Sequence, residues 1–135
     1  MTTTDARDGI QLKPFLLLAG AHLLTDAYSI ALSPLLPLLV KKLHLSLTLA
    51  GMLASVFAIS SSLLQPVYGM LSDRFNSRIF ILLGPLAPGL CMSSLGVAPN
   101  FWVLALLLLL AGIGPAAFHP QAAATAGRLS GSRKG

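Results

Sequence analysis

Charge is what this chain has least of. Only 10% of its 135 residues are Asp, Glu, Lys or Arg, against about 25% in an ordinary soluble domain. A surface so poor in charge cannot be kept wet, which excludes a water-soluble globule and makes lipid the natural solvent. Glutamate is absent: the acids are Asp5, Asp8, Asp26 and Asp73, and three of them lie outside the apolar runs. A single cysteine, Cys91, excludes an intrachain disulfide and leaves the redox compartment open; it reads as a small packing residue. There is no Cys/His ligand cluster, no phosphate-cradling glycine loop, and no nucleophile with a base and orienting acid in sequence range. The chain therefore reads as no enzyme, with no metal or cofactor expected. The net charge of +5 is split among short hydrophilic segments with no basic face to track phosphates, so nucleic acid is excluded as a partner. The polar start up to Lys13 contains two aspartates, and the apolar run after it is too long for the core of a secretory signal.

What the chain does have is apolar length. A helix needs roughly 20 apolar residues to cross the hydrocarbon, and four such stretches occur, at about 14–40, 46–71, 79–97 and 101–127. The fold class is all-α: a polytopic helical membrane protein of four transmembrane helices, with a polar segment 1–13 before them and a basic tail or loop 128–135 after them. Asn100, in the tight turn Ala98-Pro99-Asn100, is placed to cap the fourth helix. Arg7, Lys13, Arg74, Arg78, Arg128, Arg133 and Lys134 fall on one side of the membrane, Lys41 and Lys42 on the other. The positive-inside rule puts both termini in the cytoplasm of a cell (inner) membrane, with Phe101 and Trp102 at the outer interface.

In the second span Gly51, Ser55, Ala58, Ser62, Gln65 and Gly69 repeat along one helical face. Small residues in such a stripe let backbones approach closely in lipid, so it is expected to be a packing seam. Gly84-Pro85 and Pro88-Gly89 in the third span, and Pro34 and Pro37 in the first, predict kinks or local unwinding.

Polar groups inside the spans carry the functional signal. Asp26 lies almost midway between Lys13 and Lys41, where a carboxylate opposes insertion by about 2.5–3.5 kcal/mol. The ten leucines between those lysines, at roughly −0.5 kcal/mol each, offset that cost. His22, Asp26, Ser29 and Ser33, with Thr25 beside them, form a polar stripe on a leucine-rich helix. His22 and Asp26 are one turn apart and can share a proton; intramembrane acids and histidines mark proton or substrate paths. In the fourth span, Gly112-Ile-Gly114-Pro115-Ala-Ala-Phe118-His119-Pro120-Gln121 describes a close-packed, interrupted helix around a histidine, the backbone tolerated where it lines protein or a cavity. His119 and Gln121 join Asp26 and His22 as candidates for proton coupling or substrate binding, although they lie about 200° apart on a regular helix. Tyr28 reads as packing and His44 as a solvated surface group.

Three stretches resemble the fosmidomycin-resistance group of the major facilitator superfamily: His22-Leu-Leu-Thr-Asp26-Ala-Tyr28 with Leu35-Leu-Pro37; Gly69-Met-Leu71-Ser-Asp73-Arg74 with Arg78; and Gly112-Ile-Gly114 with Phe118-His119-Pro120. The sequence departs from the usual pattern at Asn76 and Ser77, where the loop motif has Gly-Arg, and at Gln121, where the group often has Glu. The resemblance implies proton-coupled efflux of small molecules, drugs included, by alternating access. It also implies that the first and fourth helices line one cavity, bringing Asp26 and His119 toward one another. Asp73 would lock the cytoplasmic side against the other half of the carrier, with Gly69, Arg74 and Arg78 completing that loop motif. The superfamily fold has two six-helix halves built from three-helix repeats, so four helices are one repeat and the first helix of the next. A fragment missing the remainder of the transporter is the expectation that follows. The alternatives are a self-assembling four-helix antiporter acting as a homo-oligomer, and a non-transporting accessory membrane protein.

Overall fold

The computed structural model describes residues 11–72, 74–75 and 77–130. Asp73, with its expected locking role, lies outside the described residues, as do Asn76, Arg7, Arg133 and Lys134. Helix α1 spans Leu12–Leu43, α2 Leu47–Ala58, α3 Gln65–Ser72, α4 Ser77–Ser93 and α5 Phe101–Leu129. A π-helical turn, Ile59–Leu63, joins α2 to α3, and a 3-10 turn, Leu95–Val97, extends α4. Among the described residues, four helical stretches are long and apolar enough to cross a membrane: Leu12–Leu43, Leu47–Ser72, Arg78–Val97 and Phe101–Leu129.

Local chemistry closes the ends. Lys41 and Lys42 occupy the last turn of α1, where positive charge meets the negative end of the helix dipole. His44 then ends the helix in a left-handed conformation at φ 51°, a region His enters more readily than most side chains. Ser46 caps α2 by accepting from the Leu49 N–H at 3.2 Å. Asn100 caps α5 by accepting from the Val103 N–H at 3.0 Å, as the sequence predicts. Lys42 reaches across to donate to the Gly96 and Ala98 carbonyls at 2.6 and 3.1 Å, where the α4 stretch runs out of backbone donors. At the opposite end, which we call the terminal end, the Gln11 N–H donates to the Leu129 carbonyl at 3.0 Å and ties the start of α1 to the finish of α5.

Helix α5 is the central post. Half of its most apolar window is buried, against 17%, 22% and 28% for the other three stretches. Its small residues explain why, since Ala111, Gly112, Gly114, Ala116 and Ala117 are all buried and let neighbouring backbones close in. A Cβ at Gly112 would come within 2.9 Å of the Ser61 amide nitrogen and collide with the Ser60 side chain. One at Gly114 would come within 2.7 Å of the Gly84 carbonyl oxygen and collide with the Pro88 ring. Leu53 and Phe57 of α2, Leu32 and Leu39 of α1, Met92 and Leu95 fill the core beside Leu104 and Leu108. Leucines such as Leu17, Leu23, Leu38, Leu63 and Leu90 point outward, an apolar exterior that suits lipid and not water.

Two expectations are corrected. Gly51, Ser55, Ala58 and Ser62 are on the outside of the bundle, and among the described residues no atom of another element lies within 4 Å of a Cβ at Gly51. The buried face of α2 is instead Ala50, Leu53 and Phe57, continued by Ser60. Leu53 and Phe57 pack into the apolar core with Leu104, Leu108 and Ala111 of α5, and the close small-residue approach falls at the π-helical turn, where Ser60 meets Gly112. Of the kinks or local unwinding expected at the prolines of the first and third spans, the unwinding does not occur: Pro34 and Pro37 lie inside α1, and Pro85 and Pro88 inside α4. The departure from α geometry falls in the second span, at the serine run. There Ser60 and Ser61 hydroxyls donate back to the Phe57 and Ala58 carbonyls at 3.0 and 3.2 Å, a pattern that loosens a helix. Pro66 follows without an N–H for the Ser62 carbonyl, and the Gln65 side-chain amide covers the Ser61 carbonyl at 3.0 Å.

Candidate functional site

Asp26 sits in the middle third of α1, 14 residues after Leu12 and 17 before Leu43, or about 21 and 26 Å at 1.5 Å per residue. One turn before it, His22 places Nε2 at 3.2 Å from Asp26 Oδ2. Leu23, Leu24 and Ile30 point outward from the bundle along this stretch and leave the His22–Asp26 face as the polar one. Thr25, fully buried, donates to the Ala21 carbonyl at 2.8 Å, and Ser29 donates to the Thr25 carbonyl at 2.9 Å. The hydroxyls are thus spent on their own helix, and His22 and Asp26 are the groups turned to the neighbour.

That neighbour is α5. Phe118 is fully buried, with its ring on the bare backbone of Gly84, where a Cβ would lie within 2.6 Å of Cγ. With Phe118 anchored toward α4, the next residue emerges toward α1. His119 Nε2 lies 3.7 Å from Asp26 Oδ1, an ion-pair distance beyond ordinary hydrogen-bond length. The two imidazoles are 5.2 Å apart between centroids, and Phe118 meets both nearly edge-on, at 5.5 Å from His22 and 5.9 Å from His119. One carboxylate therefore stands between two histidines, one oxygen toward each.

The cluster is accessible. Its side chains are 49% (His22), 43% (Asp26) and 29% (His119) exposed. Beside it, toward the terminal end, a cavity of about 240 Å³ opens between Phe15, Leu18 and His22 of α1 and His119, Ala122 and Ala126 of α5. Its walls are almost wholly apolar apart from the two histidines. Such a site can hold a proton, pass it between three groups, or bind a molecule with an apolar body and one polar end.

Gln121 does not join this cluster. It is buried and donates to the Ser72 hydroxyl on the other side of α5, beside a second cavity of about 510 Å³ bordered by Gly69, Pro120 and Arg128. The separation from His119 is what a regular helix dictates, since Pro120 sits inside α5 without interrupting it. Gly69 lies against Pro120, whose Cβ is 3.9 Å from the position of a glycine Cβ. Arg74 is exposed in the turn between α3 and α4, with its N–H donating to the Leu71 carbonyl at 3.1 Å, and Arg78 is exposed in the first turn of α4. Sequence reading missed Phe118 as the wedge that aims His119, and Ser72 as the partner of Gln121. Gly84, a residue with room for a ring, was the available signal for the first. The second joins residues 49 positions apart and leaves no local trace.

The sequence matches the profile of the Major Facilitator Superfamily over residues 18–135. Among curated proteins it is 28% identical to the uncharacterized MFS-type transporter YfnC of Bacillus subtilis, over 98% of this chain and 32% of that protein. It is 31% identical to the fosmidomycin resistance protein of Escherichia coli, over 99% of this chain and 32% of the relative. With the multidrug resistance protein MdtG of Escherichia fergusonii it shares 34% identity, over 84% and 29% respectively. The chain spans about a third of the length of the curated relatives it matches. No solved structure matches it.

Proposed function

The chain belongs to the Major Facilitator Superfamily, a family of membrane transporters, and from that premise we propose that it carries the proton-coupling site of a small-molecule efflux carrier. The observation that carries the reading is Asp26, a carboxylate at mid-membrane depth between His22 and His119. Acids and histidines are costly there and are kept for ion or substrate traffic. The apolar cavity beside the cluster suits an amphiphilic compound whose polar end reaches the histidines, and relatives named for fosmidomycin and multidrug resistance favour efflux. Exchange follows from one carboxylate serving both cargoes: a proton on Asp26 releases the compound, and loss of the proton readmits it.

In this reading both ends of the bundle at Gln11 and Leu129 face the cytoplasm of the cell membrane, and the Arg74–Arg78 turn lies on that side, where basic residues are retained. Gly69, Asp73, Arg74 and Arg78 make up the gating motif, and Gln121 sets the α3–α5 contact through Ser72. The wall of the cavity opposite α1 and α5 comes from further helices, in the rest of a longer carrier or in a second copy. The chain's one-third share of its relatives' length favours the first source.

Reconstitution of the 135-residue chain in liposomes under a pH gradient tests this. Drug flux present in wild type and lost in Asp26→Asn supports a self-assembling antiporter with Asp26 in its proton path. Absence of flux in both removes transport by this chain alone, and the same substitution is then read in a longer relative. Flux there that ignores the loss of this carboxylate sinks the assignment of Asp26.

A further inference from the structure

Three donor atoms of the mid-membrane cluster stand unusually close for side chains from two helices. His22, Asp26 and His119 each offer one nitrogen or oxygen, and all three lie within 4.8 Å of one another. The geometry points to a binding site for a divalent transition-metal ion of the zinc class, held by His22 Nε2, the Asp26 carboxylate and His119 Nε2.

The donor set decides the class. Zinc takes imidazole nitrogen and carboxylate oxygen at about 2.0–2.2 Å, and slight closure of the three side chains reaches that distance around a shared centre. Donors one helical turn apart, as in His22 and Asp26, are the spacing by which one helix face presents two ligands to one ion. Calcium and magnesium want oxygen ligands throughout, and two imidazoles among three donors select against them. Soft ions want thiolate, and Cys91 is not in the cluster.

The scaffold is set before any ion arrives. Phe118 holds both imidazole rings edge-on and is itself locked on Gly84, while Gly112 locks α5 against the π-helical turn. Side-chain exposures of 49%, 43% and 29% leave one side of the ion open. Three protein ligands and an open position describe a site that takes water or an anionic group as its fourth ligand. A bound ion occupies the very lone pairs that proton coupling needs, so it blocks flux. That consequence rests on the transport reading above; the binding itself does not.

The test uses the full, untagged chain in detergent micelles, titrated with Co²⁺ and followed by its visible d–d absorption. One Co²⁺ per chain, displaced by Zn²⁺, is expected. Asp26→Asn and His119→Ala each weaken binding at least about tenfold, as loss of a ligand exceeds the loss of an outer partner, while His44→Ala leaves it unchanged. Equal affinity in His119→Ala and wild type overturns the site. X-ray absorption on zinc-loaded wild type avoids reliance on variants that fail to fold: two imidazoles around the metal support the site, and an oxygen-only shell refutes it. In liposomes, flux that persists at saturating Zn²⁺ overturns the blocking consequence alone, whereas metal binding without any flux removes transport by this chain alone and leaves the metal site standing.

Discussion

A single methyl group at Gly112 would be felt across the bundle. Its Cβ has no room between α5 and the Ser60 side chain and Ser61 amide nitrogen, and the backbone nitrogen cannot step aside as a flexible side chain can. Gly112→Ala is expected to destabilise the folded chain by about 1–3 kcal/mol, the usual cost of overpacking. Gly51→Ala, with open space around it, stays within about 0.5 kcal/mol; thermal unfolding in detergent separates the two, and equal midpoints would refute the packing account. At Gly84 the obstacle is the Phe118 ring, so Gly84→Ala moves the wedge and carries His119 away from Asp26. We expect the metal affinity described above to fall in this variant although no donor is touched. At this scale the sequence was informative where partners are near in the chain. His22 and Asp26 could be paired from a four-residue spacing alone. His119 entered as their neighbour only by resemblance, and Phe118 hid because an aromatic in an apolar span looks like any other core residue.

Among elements, ends were more legible than faces. Caps are local, and Asn100 and Ser46 satisfy the first backbone donors of their helices with side chains three residues away. Replacing either with Ala should cost about 1 kcal/mol, read as a lower unfolding midpoint. The α4 stretch ends on a longer reach, from Lys42 to the Gly96 and Ala98 carbonyls. Lys42→Met is therefore expected to lower the midpoint by on the order of 1 kcal/mol of stability, and Lys41→Met by less; the reverse order would sink the capping role. Faces were harder to read because a stripe of small residues says that something can approach, not what does. Here large residues of α2 fill the space beside α5, and the glycine–serine stripe is turned out. The prolines of α1 and α4 stay inside continuous helices, whereas three consecutive serines and Pro66 mark the π-helical turn.

For the whole molecule, hydropathy was enough to count the crossings, because each needs a continuous apolar run and the four runs are separated by short charged or proline-containing turns. Orientation rests on charge: Lys13, Arg74, Arg78 and Arg128 gather at the terminal end, with Lys41 and Lys42 opposite. In a Cys91→Ser background, a membrane-impermeant thiol reagent applied to whole cells should label Lys41→Cys and spare Arg74→Cys until the membrane is opened. Labelling in the opposite order would invert the proposed topology.

The π-helical turn at Ile59–Leu63 has a consequence for how this molecule tolerates insertions and deletions. One residue more than an α-helix needs, accommodated in a single wide turn, sets the phase of everything after it by about 100°. Gly69 then meets Pro120, and Ser72 meets Gln121, while Gly51 and Ser55, once in step with them, look away. Removing a single serine from the run would straighten the helix and improve its local hydrogen bonding. It would also put α3 out of phase with α5, so the gentlest-looking lesion in the chain should be among its most damaging.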